Sequence, residues 1–321
     1  MRALRGAVAA ALALLVVSAC GAWPGGGERP GGELRIMVPN TPGGGYDTTA
    51  RTAARVMQEA RIAVDVQVFN LPGAGGTVGL QRIFNERGNG TLALQMGLGV
   101  VGASHVMHSE AALARTTPLA RLIEEAGAVV VRRDSPYRTI DDLVAAWRRD
   151  PGRMSVGGGS APGGPDHLLP MELARAVGIS PERVDYVAYD GGGGDLLPAL
   201  LDGKVDFATS GFGEFLGQID AGRLRVLAVT SEKPVRALPG VPTLKSSGVD
   251  LVFHNWRGLV APPGVSAADE KRWTDALTAL HDSPAWRAEL TRHGWDDAFL
   301  TGEAFRRYLK RQDEFVARLV A

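Results

Sequence analysis

Four glycine clusters limit what this chain can fold into. They occupy residues 41–47 (TPGGGYD), 72–77 (PGAGGT), 157–164 (GGGSAPGG) and 190–194 (DGGGG). Each follows a short apolar or alternating run and precedes apolar residues at helical spacing. Glycine lets the backbone turn through conformations that a Cβ forbids, so each cluster reads as a turn between a strand and a helix. In the first, Leu34, Ile36 and Val38 alternate as a strand, and Pro39 and Pro42 bar a helix. Ala50, Ala53, Ala54, Met57 and Ala60 then follow at helical spacing, with Asp47 where an N-cap belongs. Such a turn presents unpaired backbone N–H groups at the positive end of a helix dipole, which suits an anion.

The remaining chain repeats this grammar. Residues 64–68 and 92–96 read as strands, 97–102 as a further glycine loop, and 127–131 as a buried strand leaving a first domain. Thr139 caps a helix, with Asp142 in a capping-box position. Residues 154–156 form a strand before the third cluster, and a helix then starts at Asp166, or at Pro165 as its first residue. Residues 184–189, 205–208, 224–229 and 256–261 are further strands; Ser266, Ser283 with Pro284, and Thr301 open three late helices. Strands alternating with helices predict mainly parallel sheets. The interleaved halves predict a hinged α/β protein of two domains, 33–131 with 254–321 and 132–253.

The N-terminus reads as a targeting segment. Arg2 and Arg5 precede an apolar run, residues 6–17, that is too short to span a bilayer. It ends in Val17-Ser18-Ala19-Cys20, which holds the only cysteine of the chain. That run resembles a bacterial lipobox, which implies removal of residues 1–19 and lipidation of Cys20. A lone cysteine has no internal disulfide partner. Residues 20–32, rich in glycine and proline, follow as a flexible tether. The protein is therefore expected to be exported and membrane-anchored on the extracytoplasmic side. Without residues 1–19 the chain carries 33 basic and 35 acidic side chains and no basic tract, which argues against a nucleic-acid partner.

Catalytic patterns fail on inspection. Gly158-Gly159-Ser160-Ala161-Pro162 misses G-x-S-x-G at its last position. Gly97 to Gly102 matches G-x-G-x-x-G after a strand, but lacks a strand-end acid in the context that dinucleotide binding needs. His105 and His108, with Glu110 nearby, have a spacing a metal would accept, yet two histidines on a helix face read as ordinary surface. No enzyme, cofactor or metal centre is expected. In open α/β sheets ligands bind at the carboxyl ends of strands, where the four clusters lie. Thr41, Thr48, Ser160 and Tyr189 add polar side chains there.

Seven landmarks in order resemble the solute-binding proteins of tripartite tricarboxylate transporters, the TctC or Bug family. They are Val38-Pro39 with Pro42-Gly43-Gly44, Asp47 and Ala50-Arg51; Asn70 with Pro72-Gly73-Ala74-Gly75-Gly76; the glycine loop ending in His167-Leu168; Tyr189-Asp190-Gly191-Gly192; residues 201–206; Val241-Pro242-Thr243-Leu244; and residues 256–262. The resemblance implies a type II periplasmic-binding-protein fold, two α/β domains closing around an organic acid for delivery to membrane subunits. It implies a site at Asn40, Thr41, Gly43, Gly44, Gly45 and Asp47, facing Ser160, Ala161, Asp190, Gly191 and Gly192; Arg257, flanked by Trp256 and Gly258, is the basic residue expected close enough to matter. Asp47 is expected to order its loop rather than touch the anion. Asp190 and Leu71 make this cleft less positive than in relatives, which favours a mono- or dicarboxylate over a tricarboxylate. Asp190 also suits an amine or hydroxyl, and so an amino or hydroxy acid. A monomer is expected. The alternative is an exported enzyme acting on a small polar substrate, which steady turnover would distinguish from stoichiometric binding.

Overall fold

A computed structural model describes residues 33–109, 113–189 and 193–320. The targeting segment, the tether with Cys20, and Asp190, Gly191 and Gly192 lie outside the described residues. The chain begins with three strand–helix pairs: β1 (Leu34–Val38) and α1 (Gly45–Glu59), β2 (Val66–Asn70) and α2 (Thr77–Asn85), β3 (Leu92–Gly97) and α3 (Leu98–Val106). A long strand, β4 (Thr117–Arg132), leads to α4 (Ile140–Arg149), β5 (Ser155–Gly158), α5 (Pro165–Ala176), β6 (Asp185–Ala188) and α6 (Gly193–Leu201). Next come β7 (Phe207–Gly211), α7 (Leu216–Asp220), β8 (Leu224–Val229) and β9 (His254–Ala261). The chain closes with α8 (Ala267–Asp282), α9 (Pro284–His293), β10 (Asp296–Thr301) and α10 (Gly302–Val320).

The strands run in the order β2-β1-β3-β9-β4-β7-β5-β6, with β10 and β8 also paired to β4. Parallel pairing is confined to β2-β1-β3 and to β5 with β6 and β7. The expectation of mainly parallel sheets is corrected here, because β4, β8, β9 and β10 all pair antiparallel. Parallel neighbours need a helical crossover, whereas strands carrying the chain out to a second lobe and back run in opposite directions.

Strand β4 belongs to both lobes. Residues 117–126 pair with β9, and residues 127–132 pair with β7 and β8. Partners therefore change between Ala126 and Gly127, upstream of the 131/132 division read from the sequence. Only 127–131 was expected as strand, since Pro118, Arg121, Glu124 and Glu125 interrupt the apolar run before it. The fold satisfies those side chains individually: Arg121 donates to the Ala298 carbonyl at 2.6 Å and covers the Tyr308 ring at 4.2 Å. Thr230, fully buried, clasps both crossings, because its hydroxyl accepts from Gly127 N–H at 2.7 Å and donates to the Phe253 carbonyl.

Each lobe has its own core. In the first, Ile36, Val38, Leu94, Trp256, Trp273, Trp286 and Phe305 are buried together. In the second, Val129 and Val131 join Trp147, Leu173 and Phe207 on one sheet face, while Ala128 and Val130 join Leu196, Leu200, Phe212 and Phe215 on the other. That is the period-two alternation of a strand covered by helices on both sides. Local signals hold where they are strongest. Thr139 and Asp142 form the capping box of α4, and Ser266 and Ser283 cap α8 and α9.

Two further expectations change. Residues 97–102 are not a loop, because α3 begins at Leu98 directly after β3. Its glycines serve close approach: a Cβ on Gly97 would strike the Trp256 carbonyl, and one on Gly102 the Gly163 carbonyl of the opposite lobe. Strand β2 starts at Val66, leaving Val64 exposed.

Candidate functional site

A cavity of about 280 Å³ lies between the lobes, at the carboxyl ends of β1, β2 and β5. The first lobe contributes Asn40, Thr41, Gly44, Gly45 and the turn Pro72 to Gly76; the second contributes Gly159, Ser160, Ala161, Asp166, Ser210 and Glu214. Asn255 and Arg257, on β9, also line it. A second cavity, about 560 Å³, adjoins the first across Gly44, Gly45, Glu214 and Arg257 and extends to Gly43, Leu197 and Trp295.

The first-lobe wall is built by α1. Its N-cap is Gly44, which has no side chain to satisfy the first turn, so those N–H groups face the cavity end of the helix. Asp47 is thus not the N-cap. It sits inside the first turn and accepts from Gly43 N–H at 3.0 Å, Arg51 Nε at 2.9 Å and Asn70 Nδ2 at 2.8 Å. These donors hold its carboxyl below the usual range against the opposing effect of burial. The loop is ordered through the side chain after the turn because glycine at the cap cannot do so. Tyr46 anchors the same turn to α3, its hydroxyl accepting from Gly99 N–H at 3.0 Å, and burial pushes its pKa up to about 12.

The facing wall is the turn into α5, where Pro165 occupies the first helical position. Ser160 Oγ accepts from Asp166 N–H at 3.1 Å, which leaves the hydroxyl proton as a donor. Tyr186 donates to the Ser160 carbonyl at 2.6 Å, and His167 Nδ1 accepts from Gly163 N–H at 3.2 Å. Burial pushes the His167 pKa down, consistent with a neutral ring accepting that bond.

Charge is distributed differently from the sequence expectation. Arg257, 5 % exposed, is not an unpaired cation awaiting an anion: its Nη2 donates to Glu125 Oε2 at 2.9 Å and its Nη1 to Thr49 Oγ1 at 3.3 Å. Its Nε–H is buried without a protein acceptor. Deeper in, Ser210 Oγ stands 3.0 Å from Asp166 Oδ2 and 3.2 Å from Glu214 Oε2. The Ser210 hydroxyl is thus shared between two carboxyls that crowd one another. Burial and the neighbouring Glu214 push the Asp166 pKa well above the usual carboxylate range, while the Ser210 hydroxyl and Gly159 N–H act against that shift. Asn40 and Asn255 each keep a buried Oδ1 that no protein donor reaches.

The structure brings Asn40, Thr41, Gly44, Gly45, Ser160, Ala161 and Arg257 to one cavity, with Gly43 on its neighbour and Asp47 behind the loop. Asp190, Gly191 and Gly192 lie outside the described residues. Sequence reasoning missed Glu125, Asp166, Ser210 and Glu214 as site residues. No local signal singled out Glu125, because Arg121 and Glu124 beside it hide the strand on which it is buried. The histidines considered for a metal separate, with His105 bonded to Asp313 of α10 at 2.7 Å and His108 exposed.

Two interleaved α/β lobes around a glycine-lined cavity define a type II solute-binding protein. The chain belongs to the TctC family, described as the tripartite tricarboxylate transporter family receptor, which matches residues 49–319. It is thus a binding protein rather than an enzyme, of a family whose receptors are periplasmic. It is 26% identical over 324 residues to a UPF0065 protein of Cupriavidus necator, covering 98% of this chain and 96% of that one. It is 28% identical over 241 residues to the protein BugT of Bordetella pertussis, covering 73% and 72%. In fold it is similar to MatC of Rhodopseudomonas palustris with bound malate, at a TM-score of 0.76 and 21% identity, over 90% of this chain and 99% of that one. A Rhodopseudomonas palustris protein with adipate gives a TM-score of 0.79 at 21% identity, over 90% and 97%. Among the described residues, no helix is long and apolar enough to cross a membrane.

Proposed function

We propose that this receptor is a monomer lipid-anchored through Cys20 that captures a small mono- or dicarboxylate between its lobes and hands it to the membrane subunits of a transporter. The observation that carries the reading is the interlobe cavity, with the N-terminus of α1 on one side and the Ser160 turn on the other. Backbone N–H groups and a hydroxyl suit a carboxylate, and malate and adipate in proteins of the same fold support the size class. Asp190, Gly191 and Gly192 are proposed to complete the second-lobe wall. The two domains, read from the sequence as 33–131 with 254–321 and 132–253, are proposed to close about crossings near Ala126–Gly127 and Phe253–His254, which moves the first boundary to 126/127, with Thr230 as the pivot.

Thermal melting against mono-, di- and tricarboxylates, amino acids and neutral sugars tests the ligand. A true ligand at 100 times its dissociation constant is expected to stabilise the folded form by about 2.7 kcal/mol. A neutral sugar as the sole stabiliser would overturn the carboxylate reading. The anchor is tested separately. Wild type is expected to partition into detergent with an acylated N-terminus at Cys20, and Cys20→Ala to lose that modification. Two or more acyl chains hold far more firmly than one, whose binding is marginal. An unmodified mature N-terminus elsewhere, found by mass spectrometry, would remove Cys20 from the reading.

A further inference from the structure

Resting on the carboxylate reading above, we propose that the Tyr46 hydroxyl is a recognition donor: its oxygen caps the positive end of α3, and its proton goes to an oxygen of the bound acid. Helix α3 starts directly after β3, and its N-cap, Gly97, has no side chain to satisfy the first-turn N–H groups. Tyr46, on α1, supplies the missing acceptor. Its Oη accepts from Gly99 N–H at 3.0 Å and from Val100 N–H at 3.4 Å, the second and third residues of α3. Two N–H groups occupy the lone pairs of the phenol oxygen and leave its proton to donate. Among the described residues no acceptor takes that proton. A buried hydroxyl whose donor is unserved is costly, so the bound state is where it finds a partner.

The position suits that role. Tyr46 is 9 % exposed and lines the interlobe cavity. Gly99 keeps the hydroxyl uncovered: the point that a Cβ on Gly99 would occupy lies 3.0 Å from Tyr46 Oη and 3.5 Å from Pro165 Cδ of the opposite lobe. Gly99 and Pro165 line the same cavity, so the hydroxyl stands where the two lobes meet around it. The electrostatics favour donation. An oxygen that accepts two N–H bonds at a helix N-terminus makes its own proton a stronger donor. Burial pushes the phenol pKa up to about 12, against the opposing pull of the two backbone bonds and Arg257, so the proton stays on the oxygen near neutral pH. Arg257 brings a second unmet donor to this cavity, its buried Nε–H. A carboxylate has acceptors for both; a group that only donates has none.

The test is calorimetry on the purified full chain with butyrate, succinate, malate, adipate and citrate. Every acid that binds wild type is expected to bind Tyr46→Phe about 10- to 150-fold more weakly, the worth of a hydrogen bond to a charged oxygen. That variant also leaves Gly99 and Val100 N–H without their acceptor, so a second one separates donation from capping. Site-specific 3-fluorotyrosine at position 46 keeps the shape of the ring and makes the hydroxyl a stronger donor and a poorer acceptor, while burial still holds it neutral. The same acids are expected to bind that chain roughly twofold or more tighter than wild type. A hydroxyl that only caps α3 predicts the opposite sign. A fluorinated chain that binds no tighter therefore overturns the inference, whether or not Tyr46→Phe folds. So does Tyr46→Phe binding as wild type does; both results leave the carboxylate reading standing. Failure of every acid to bind wild type overturns both.

Discussion

Arg257→Leu is expected to lower the unfolding free energy by about 3–5 kcal/mol, the usual cost of removing one partner from a buried ion pair. The substitution strands Glu125, whose side chain is 4 % exposed; among the described residues Gly213 N–H at 3.3 Å is the donor that remains. It also removes the guanidinium that packs over the Trp295 ring at 6.0 Å and lies against Gly45 at the head of α1. Most of the loss comes from the uncompensated charge rather than from missing attraction. Arg257→Leu with Glu125→Leu is therefore expected to recover most of it, because apolar residues of similar volume often replace a buried pair at little cost. Urea unfolding of both variants checks this. A single mutant within 1 kcal/mol of wild type would mean that the pair is wetter than its geometry implies. The double mutant separates stability from binding, since it restores the fold but lacks the guanidinium that lines the cavity.

Gly102→Val is expected to weaken ligand binding about 5- to 150-fold while leaving each lobe folded. Gly102 lies within α3, and a Cβ there would strike the carbonyl of Gly163 on the turn before α5. Neither backbone can yield as a flexible side chain would. Gly163 is itself held at φ +87°, a conformation that favours glycine, so the two glycines meet where the lobes touch. Overpacking of this kind costs about 1–3 kcal/mol, which here falls on closure and appears as lost affinity. Calorimetry with the tightest carboxylate gives the affinity, and solution scattering gives the spread of the lobes. Unchanged values in both would show that the Gly102–Gly163 contact is not part of the ligand-bound state.

The two variants probe features that differ in how legible they were in the sequence. The strand–glycine–helix units, the capping box at Thr139 and Asp142, and the serine caps of α8 and α9 could be read directly. Each is decided by residues within one helical turn, and local sterics and hydrogen bonds act at that range. The resemblance carried the family and the fold, and two of the loops it pointed to, at residues 40–45 and 160–161, line one cavity. Misreadings fell where two local rules competed. At residues 97–102 glycine density suggested a loop, whereas the glycines permit close packing of a helix. At 117–126 charged residues masked a strand that lies at the centre of the sheet.

Charge pairing was decided only by the tertiary structure. Arg257 and Glu125 are 132 positions apart, and they meet because β4 and β9 pair in a register that sets Ile123 opposite Arg257 and Glu125 opposite Asn255. A register shift of one residue would turn either side chain to the other face of the sheet. Asp166 reads locally as a first-turn acid of α5, and it comes to share a hydroxyl with Glu214 only because β7 delivers Ser210 between them. The chain alone determined where backbone N–H groups converge, because glycine and helix ends fix that within a few residues. Which acids crowd the cleft, and which cation is already spent, depended on strands that sequence proximity does not relate.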